Sequence, residues 1–598
     1  MITEISENLT TPLSRFLPCP AYTDREAWGK VPGEIREQLV KNGEAHLGRR
    51  LPVILATDFM DFCRTGDRER YQTLLFERRT VLNDLVLAEC VEGKGRFLDD
   101  IINGIFLICE ETAWQLPAHN SYIRDTPQFI LPDVTRPVID LFAAETGAVL
   151  GVAENLLRDA FAKISPAISI AVNENLEKRI FRPFLEEHFW WMGDGKSHVN
   201  NWTSWCTQNV LLAAFTRETP HSRERDIFEK ACRSLDYFLD EYGVDGCCDE
   251  GAQYYRHAGL TLFNALEVLN GITDHAFSSV YREEKVRNIA SYILNAHVDG
   301  EYYVNFADCS PVAGRCNARE FLFGKRTENP ELMAFAAADY QAGGCLLLSE
   351  EHNLFYRLQT VFNHEEMITY DSHPVIRHPD IFYPSAGLFI TRDDTLYLAV
   401  KAGDNDDSHN HNDTGSFTVY KNGQPLFIDI GVETYSKKTF SPDRYEIWTM
   451  QSRYHNLPSF GDITQQNGPD FKAADVTWEM TDAYGEISMD IAAAYPDDGI
   501  TSYRRQARLD KGQSITITDT YQGQTRPVVL SLMTYEKPTV TGSDLAIGDL
   551  GTCHIEGASN IETECLPITD NRLKQAWHHD IYRTLVTMDG EQLVLHIE

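Results

Sequence analysis

From about residue 25 to 370 the apolar positions recur at intervals of three and four. In DIFEKACRSLDYFLDEY, Ile227, Phe228, Ala231, Cys232, Leu235, Phe238 and Leu239 fall on one helical stripe between charged residues. The segments DRERYQTLLFERRTVLNDLVLAECV, RPVIDLFAAETGAVLGVAENLL, WCTQNVLLAAFTRE and HAGLTLFNALEVLNGI repeat this texture, separated by short Gly, Pro or Asp punctuation. The pattern predicts helix hairpins arranged as a toroid or a solenoid. No fixed-period repeat is legible, which disfavours the solenoid.

Near residue 375 the period changes. TLYLAV, GSFTVY, PLFIDIG, SITITDTY, PVVLSLMTY and EQLVLHIE are short, alternating and β-branched. Asn422-Gly423, between two apolar runs, predicts a tight hairpin. We therefore expect a multidomain α+β chain: a helical domain over 1–375 and an antiparallel β-sandwich over 376–598.

The 598 residues are 43% hydrophobic and 24% charged, enough to bury two cores. There are 89 acidic and 54 basic residues, a formal charge of −35 that repels phosphate backbones and excludes nucleic acid as a partner. An anionic substrate must then be met by a local cluster of donors. No run of about 18 apolar residues occurs, so no membrane span is expected. The start MITEISENLTTPLSRFLPCP lacks a leader pattern, which reads as cytoplasmic, or as periplasmic or secreted for a chain whose leader has been removed. The 13 scattered cysteines read as reduced thiols.

Three polar clusters exceed what packing requires. In SHNHNDTGSF, His409 and His411 stand two apart, so an extended backbone projects both imidazoles from one face. Asp429 interrupts the apolar strand PLFIDIG, where an unmet carboxylate is costly, and His455 follows in RYHNLP. Two histidines and this aspartate suit a divalent metal, Zn²⁺ first and Mn²⁺ as an alternative for a mixed N/O set. His409 and His411 either both ligate or divide into ligand and reactant. A lone HxH is more often a surface feature, and only Asp429 and His455 in step raise it above that. GCCDEGAQYYRHAG gathers Asp249, Glu250, Tyr254, Tyr255, Arg256 and His257 at a loop-to-helix junction; the plain alternative is helix-start acids and packing tyrosines. SHVNNWTSWCTQN offers Asn200, Asn201, Trp202 and Trp205, whose indoles suit sugar faces or a helical core.

Taken in order over residues 190 to 460, NNWTSWCTQNVLLAAF, DEGAQYYRHAG, SHNHNDTGSFTVYKNGQPLFIDIG and RYHNLP resemble the heparinase II/III family of polysaccharide lyases. The resemblance implies an N-terminal α/α toroid, a C-terminal antiparallel β-sandwich, and β-elimination at a uronic acid. In that reaction the C5 proton is removed, the bond from C4 to the glycosidic oxygen breaks, and a C4–C5 double bond forms. A proton beside a carboxylate is weakly acidic, so the site must neutralise that carboxylate, supply a base and protonate the leaving oxygen.

Carried over by position, Asn200 holds the carboxylate, with Asn201 the alternative register. Tyr254 is the acid and, for one uronate epimer, also the base, given a cation such as Arg256 or His257 to favour its phenolate. His409 is the second base, on the opposite ring face. His411, Asp429 and His455 hold a structural divalent metal. Trp202, Arg256, His257 and Arg453 are expected to contact substrate. Gln253 and Tyr255 flank Tyr254 where many relatives differ. The absence of a basic run favours hyaluronan, chondroitin or heparan sulfate over heparin, with alginate behind. A glycoside hydrolase using Asp249 and Glu250, or Asp404, Asp406 and Asp407, is the main alternative, and a carbohydrate-binding protein without turnover is a third. The expected partner is an anionic poly- or oligosaccharide, with self-association left open.

Overall fold

The structure is a computed structural model that describes residues 1–124, 126–217, 222–344, 351–372, 378–524 and 526–598. The expected boundary at 375/376 lies outside these residues. The chain forms two compact units. One comprises Met1–Tyr242, His257–Ala290 and Cys316–Ile376; the other comprises Gly243–Arg256, Ser291–Arg315 and Arg377–Glu598. Two excursions from the helical half, 243–256 and 291–315, thus belong with the C-terminal sheets, which a single cut in the sequence does not anticipate.

In the first unit Leu141–Ile164, Asn201–Phe215, Gly259–Ile272, Ala318–Arg326 and Leu354–Thr369 adjoin in that order, and the last closes on the first. This ring is buried on nearly every face: 14 of the 15 residues of Asn201–Phe215 are buried, so the amphipathic signal is weak there. An outer layer includes Gly33–Glu44, Ala167–Leu176, Glu224–Glu241 and Pro330–Ala342. Among these the stripe of Glu224–Glu241 is the clearest, and all seven apolar residues predicted for it are buried. Several buried polar side chains in and beside the ring find a partner, as Asn83 donates to the His352 carbonyl at 2.7 Å and Gln359 to Asn264 at 2.9 Å. No helix among the described residues is long and apolar enough to cross a membrane.

The second unit holds antiparallel sheets of five, eight and four strands. The five-stranded sheet runs Ile381–Tyr383, Leu388–Arg392, Leu396–Lys401, Phe417–Lys421 and Gln424–Phe427 in sequence order. Its last hairpin turns on Asn422 and Gly423, both at positive φ (51° and 74°), as the Asn-Gly signal predicts. Strand Ile500–Asp510 of the eight-stranded sheet alternates buried and exposed residues, the signature of a half-buried strand. One core joins the three sheets, with Phe389, Val400 and Phe417 packing among Ile487, Leu509, Ile517, Leu530 and Val586. This is the expected sandwich. The described cysteines are all free.

Candidate functional site

The site grows from loops of the second unit. Gly251, at φ +86°, turns the chain into the short helix Ala252–Tyr255; a Cβ there would lie 2.6 Å from that of Cys309. Tyr254 is thereby presented beside Asp308 and His409. Ala307 and His409 both adopt φ 58°, a left-handed conformation uncommon outside glycine and often found where a side chain is aimed for function.

Asp308 is fully buried and organises the cluster. One carboxylate oxygen, Oδ2, lies 2.8 Å from Nδ1 of His409 and accepts from the Tyr435 hydroxyl at 3.0 Å. The other, Oδ1, lies 3.0 Å from Nε2 of His411 and accepts from Arg444 at 2.6 Å. The Tyr254 and Tyr435 hydroxyls share a short hydrogen bond, and the Tyr254 ring stacks on His409 with centroids 4.9 Å apart. Glu250, also buried, has a carboxylate oxygen 3.9 Å from Nε2 of His409. A phenol pair, an imidazole and two carboxylates therefore converge with few exposed atoms.

These neighbours set the proton affinities. Burial pushes the Asp308 carboxyl up, but Arg444 and the two imidazoles outweigh it and hold the group well below the ordinary range. Burial disfavours the His409 imidazolium, but Glu250 and Asp308 overcome it and raise its affinity for a proton. Burial raises Tyr254 above an ordinary phenol despite the opposing pull of Arg572. At neutral pH Tyr254 is thus a protonated acid beside an imidazole whose Nδ1 is engaged by a carboxylate.

Beneath this cluster, donor atoms of His411, Asp429 and His455 lie within 4.8 Å of one another, all three residues being buried. Asp429 Oδ2 meets Nδ1 of His455 at 2.7 Å, and Oδ1 accepts from the Gly431 amide at 2.9 Å. Nδ1 of His411 and Nε2 of His455 are buried without a hydrogen-bond partner. Orphaned ring nitrogens beside a carboxylate are costly as they stand and fit a divalent cation with N/O preference. Because His411 gives Nε2 to Asp308, Nδ1 is the nitrogen it has left for an ion.

Three structures share this fold. Heparinase III aligns over 98% of this chain and 92% of its own, with a TM-score of 0.62 and 12% identity. A mutant of the heparan sulfate lyase HepC from Pedobacter heparinus covers 94% and 87%, at 0.57 and 11%. The chondroitin AC lyase of Streptomyces coelicolor A3, in complex with chondroitin sulphate, covers 96% and 82%, at 0.50 and 11%. Residues 376–577 match the heparinase II/III-like C-terminal domain. That stretch is a heparinase II/III-like C-terminal domain. No curated protein sequence matches the chain.

The structure brings together Tyr254, His409, His411, Asp429 and His455. Asn200, Asn201, Trp202 and His257 belong to the first unit. Asn200 caps its helix by accepting from the Trp202 amide at 3.1 Å, which uses its oxygen and leaves the NH₂ as the donor. His257 stacks on Trp205 at 4.1 Å. A guanidinium beside the phenols is that of Arg572, 4.6 Å over the Tyr435 ring, and Arg256 lies against Gly314. Arg453 sits on the turn before His455, its carbonyl accepting from Ser531 and Arg583.

Three members were missed in the sequence, Asp308, Tyr435 and Arg572; Arg444 joins them by donating to Asp308. The usable signal was Asp308 itself, a lone carboxylate in the otherwise uncharged NFADCS. The acids of DNDD are accounted for structurally, since Asp407 pairs with buried Lys401 and Asp404 accepts from the Asp406 amide at 3.0 Å.

Proposed function

We propose that this protein is a polysaccharide lyase that cleaves uronate-containing glycans by β-elimination. The observation that carries the reading is the convergence of Tyr254 and His409 on one carboxylate, Asp308. Elimination needs a base for the C5 proton and an acid for the leaving oxygen, and a half-buried phenol stacked on a carboxylate-bound imidazole offers both within one sugar's reach. His409, with Nδ1 held by Asp308, keeps the lone pair on Nε2 for the proton, and Glu250 then faces the imidazolium that forms. Tyr254 gives its proton to the departing oxygen. As the bond to that oxygen breaks, the electrons from C5 become the new double bond. Asn200 remains the proposed donor to the uronate carboxylate, a role that suits a neutral amide whose NH₂ is left to donate.

A divalent metal on His411, Asp429 and His455 would tie together the loops that carry His409, Ile430 and Tyr454; its charge supports structure, and no proton passes through it. The named activities of the structural relatives, on heparan and chondroitin chains, agree with a glycosaminoglycan substrate. Arg444 donates to Asp308, the Asn410 carbonyl and the Thr439 carbonyl, so its charge is committed inside the protein. That favours weakly sulfated chains over heparin, with alginate as the alternative.

The test is incubation with hyaluronan, chondroitin, heparan sulfate and alginate while following the ultraviolet absorbance of unsaturated uronate. Absorbance that grows with new reducing ends supports the lyase. Reducing ends without absorbance would indicate hydrolysis, and binding without either would indicate a lectin-like protein. Tyr254→Phe and His409→Ala are each expected to lower turnover by about 10² to 10⁴.

A further inference from the structure

Arg572 lies 318 positions beyond Tyr254, on a turn that nothing in the motifs marks, yet its placement is closely determined. Asp570 caps that turn, its Oδ1 accepting from the amides of Arg572 at 2.9 Å and Leu573 at 3.1 Å. The same oxygen accepts from the Thr434 amide at 3.1 Å, which joins the turn to the segment carrying Tyr435. Leu573 and Trp577 anchor it in a core with Ile428 and Ile430, on either side of Asp429, and the Trp577 indole donates to the Ile430 carbonyl at 2.9 Å. The guanidinium then donates to Gln253 Oε1 at 3.2 Å and to the Asp308 carbonyl at 3.1 Å while covering the Tyr435 ring at 4.6 Å. Its contacts are thus with the residue before Tyr254, with the backbone of Asp308 and with the phenol bonded to Tyr254.

We infer that Arg572 is a positioning residue of the proposed elimination: its fixed positive charge holds the Tyr254–Tyr435 phenol pair in register and keeps the phenolate form of Tyr254 within reach of the reaction. The inference rests on the lyase reading and deepens it. A phenol that gives its proton to the leaving oxygen becomes a phenolate, and one that serves as base must begin as one. Around Tyr254 stand two carboxylates, Asp308 and Glu250, a second phenol, Tyr435, and the His409 ring. The carboxylates oppose a phenolate, as does burial, and Arg572 is the guanidinium that opposes them. His409 and Arg444 do not substitute for it, because each is turned to Asp308. The planar group matters as well as the charge, since one nitrogen, Nη2, bonds both Gln253 and the Asp308 carbonyl while the guanidinium covers the Tyr435 ring.

The experiment compares the wild-type chain with Arg572→Met and Arg572→Lys on whichever glycan of the panel the wild type cleaves. For Arg572→Met, kcat is expected to fall roughly tenfold or more with KM within about twofold, and the alkaline limb of the kcat profile should move up by about one pH unit. Arg572→Lys keeps the charge, so its limb should stay near the wild-type position while kcat falls less. An unmoved limb in Arg572→Met, a loss confined to KM, or a lysine variant that shifts as far as methionine would overturn the inference. A second readout needs no substrate: the ultraviolet phenolate titration attributable to Tyr254, taken as wild type minus Tyr254→Phe, should appear at higher pH when both chains carry Arg572→Met. An unchanged difference curve would also overturn it. If the wild type yields unsaturated product from none of the polymers, the lyase reading fails, while the phenolate titration still decides the electrostatic role of Arg572.

Discussion

Asp308 and His409 are joined by a 2.8 Å contact from Oδ2 to Nδ1, which assigns the imidazole its orientation before any substrate arrives. The other oxygen of Asp308 engages His411, so one carboxylate orients both the proposed base and a proposed metal ligand. Asp308→Asn replaces an acceptor with a group that can donate, and the His409 ring then loses its reason to keep Nδ1–H toward it. We expect kcat to drop by about 10²-fold with little change in KM, read from the initial rate of unsaturated product. Because Arg444 is left without its carboxylate, the melting temperature should fall as well. An unimpaired kcat would remove Asp308 from the proton-transfer machinery.

Chelation tests the His411, Asp429 and His455 group. A cation bound there stabilises only the folded state, and saturation at about 100 times its dissociation constant corresponds to about 2.7 kcal/mol. Stripping the metal, or substituting His455→Ala, is expected to lower the melting temperature by roughly 5–10 °C, with re-addition of Zn²⁺ or Mn²⁺ rescuing the stripped wild type and not the variant. Elemental analysis that finds no divalent metal in purified wild type, together with an unchanged melting curve after chelation, would contradict the assignment.

Arg505 couples the sandwich core to the same loops. It is fully buried, bonds Asp519 through Nε at 2.8 Å and Nη2 at 2.6 Å, and donates to the carbonyls of Gly415 and Asn456 at 2.7 Å each. Gly415 follows His411 by four residues, and Asn456 directly follows His455. Arg505→Met leaves Asp519 as a buried unpaired charge, which costs about 3–5 kcal/mol. The expected result is a lower denaturation midpoint and, in protein that still folds, weaker metal retention on dialysis. Retention equal to wild type would show that the loops hold their geometry without this tie.

How far the sequence discloses the site depends on which contacts are local. The Asn422-Gly423 turn and the stripe from Ile227 to Leu239 are legible because their cause lies within a few residues. His409, His411, Asp429 and His455 are legible because polar groups interrupt strand texture at short spacing. Asp308 meets His409 across 101 positions and Arg572 meets Gln253 across 319, and no local period encodes either meeting. Arg256 and His257, adjacent in sequence to Tyr254, lie on the turn after its short helix, where one packs against Gly314 and the other stacks on Trp205, so adjacency alone does not disclose Arg572. Asn201–Phe215, buried on nearly every side, has no polar face to mark its period, so its apolar run rather than a stripe makes it legible.

Glu145 gives a pH test within the helical unit alone. Its carboxyl is buried, and burial, with help from the Glu351 carboxylate, pushes its pKa up to about 8; Arg319 opposes this only in part. The unfolded chain releases the same proton near 4.3. Between these values the folded state holds more protons than the unfolded state, so the stabilising contribution is complete below about pH 4 and is lost as pH rises through 8. The loss is on the order of a few kcal/mol. Glu145→Gln keeps an oxygen to accept from Asn353, 3.3 Å away in the native protein, and removes the titration. Wild type and variant should therefore melt alike near pH 5, with the variant higher by a few degrees near pH 8.5. Parallel melting curves for the two proteins across that range would show that Glu145 does not carry the proton assigned to it.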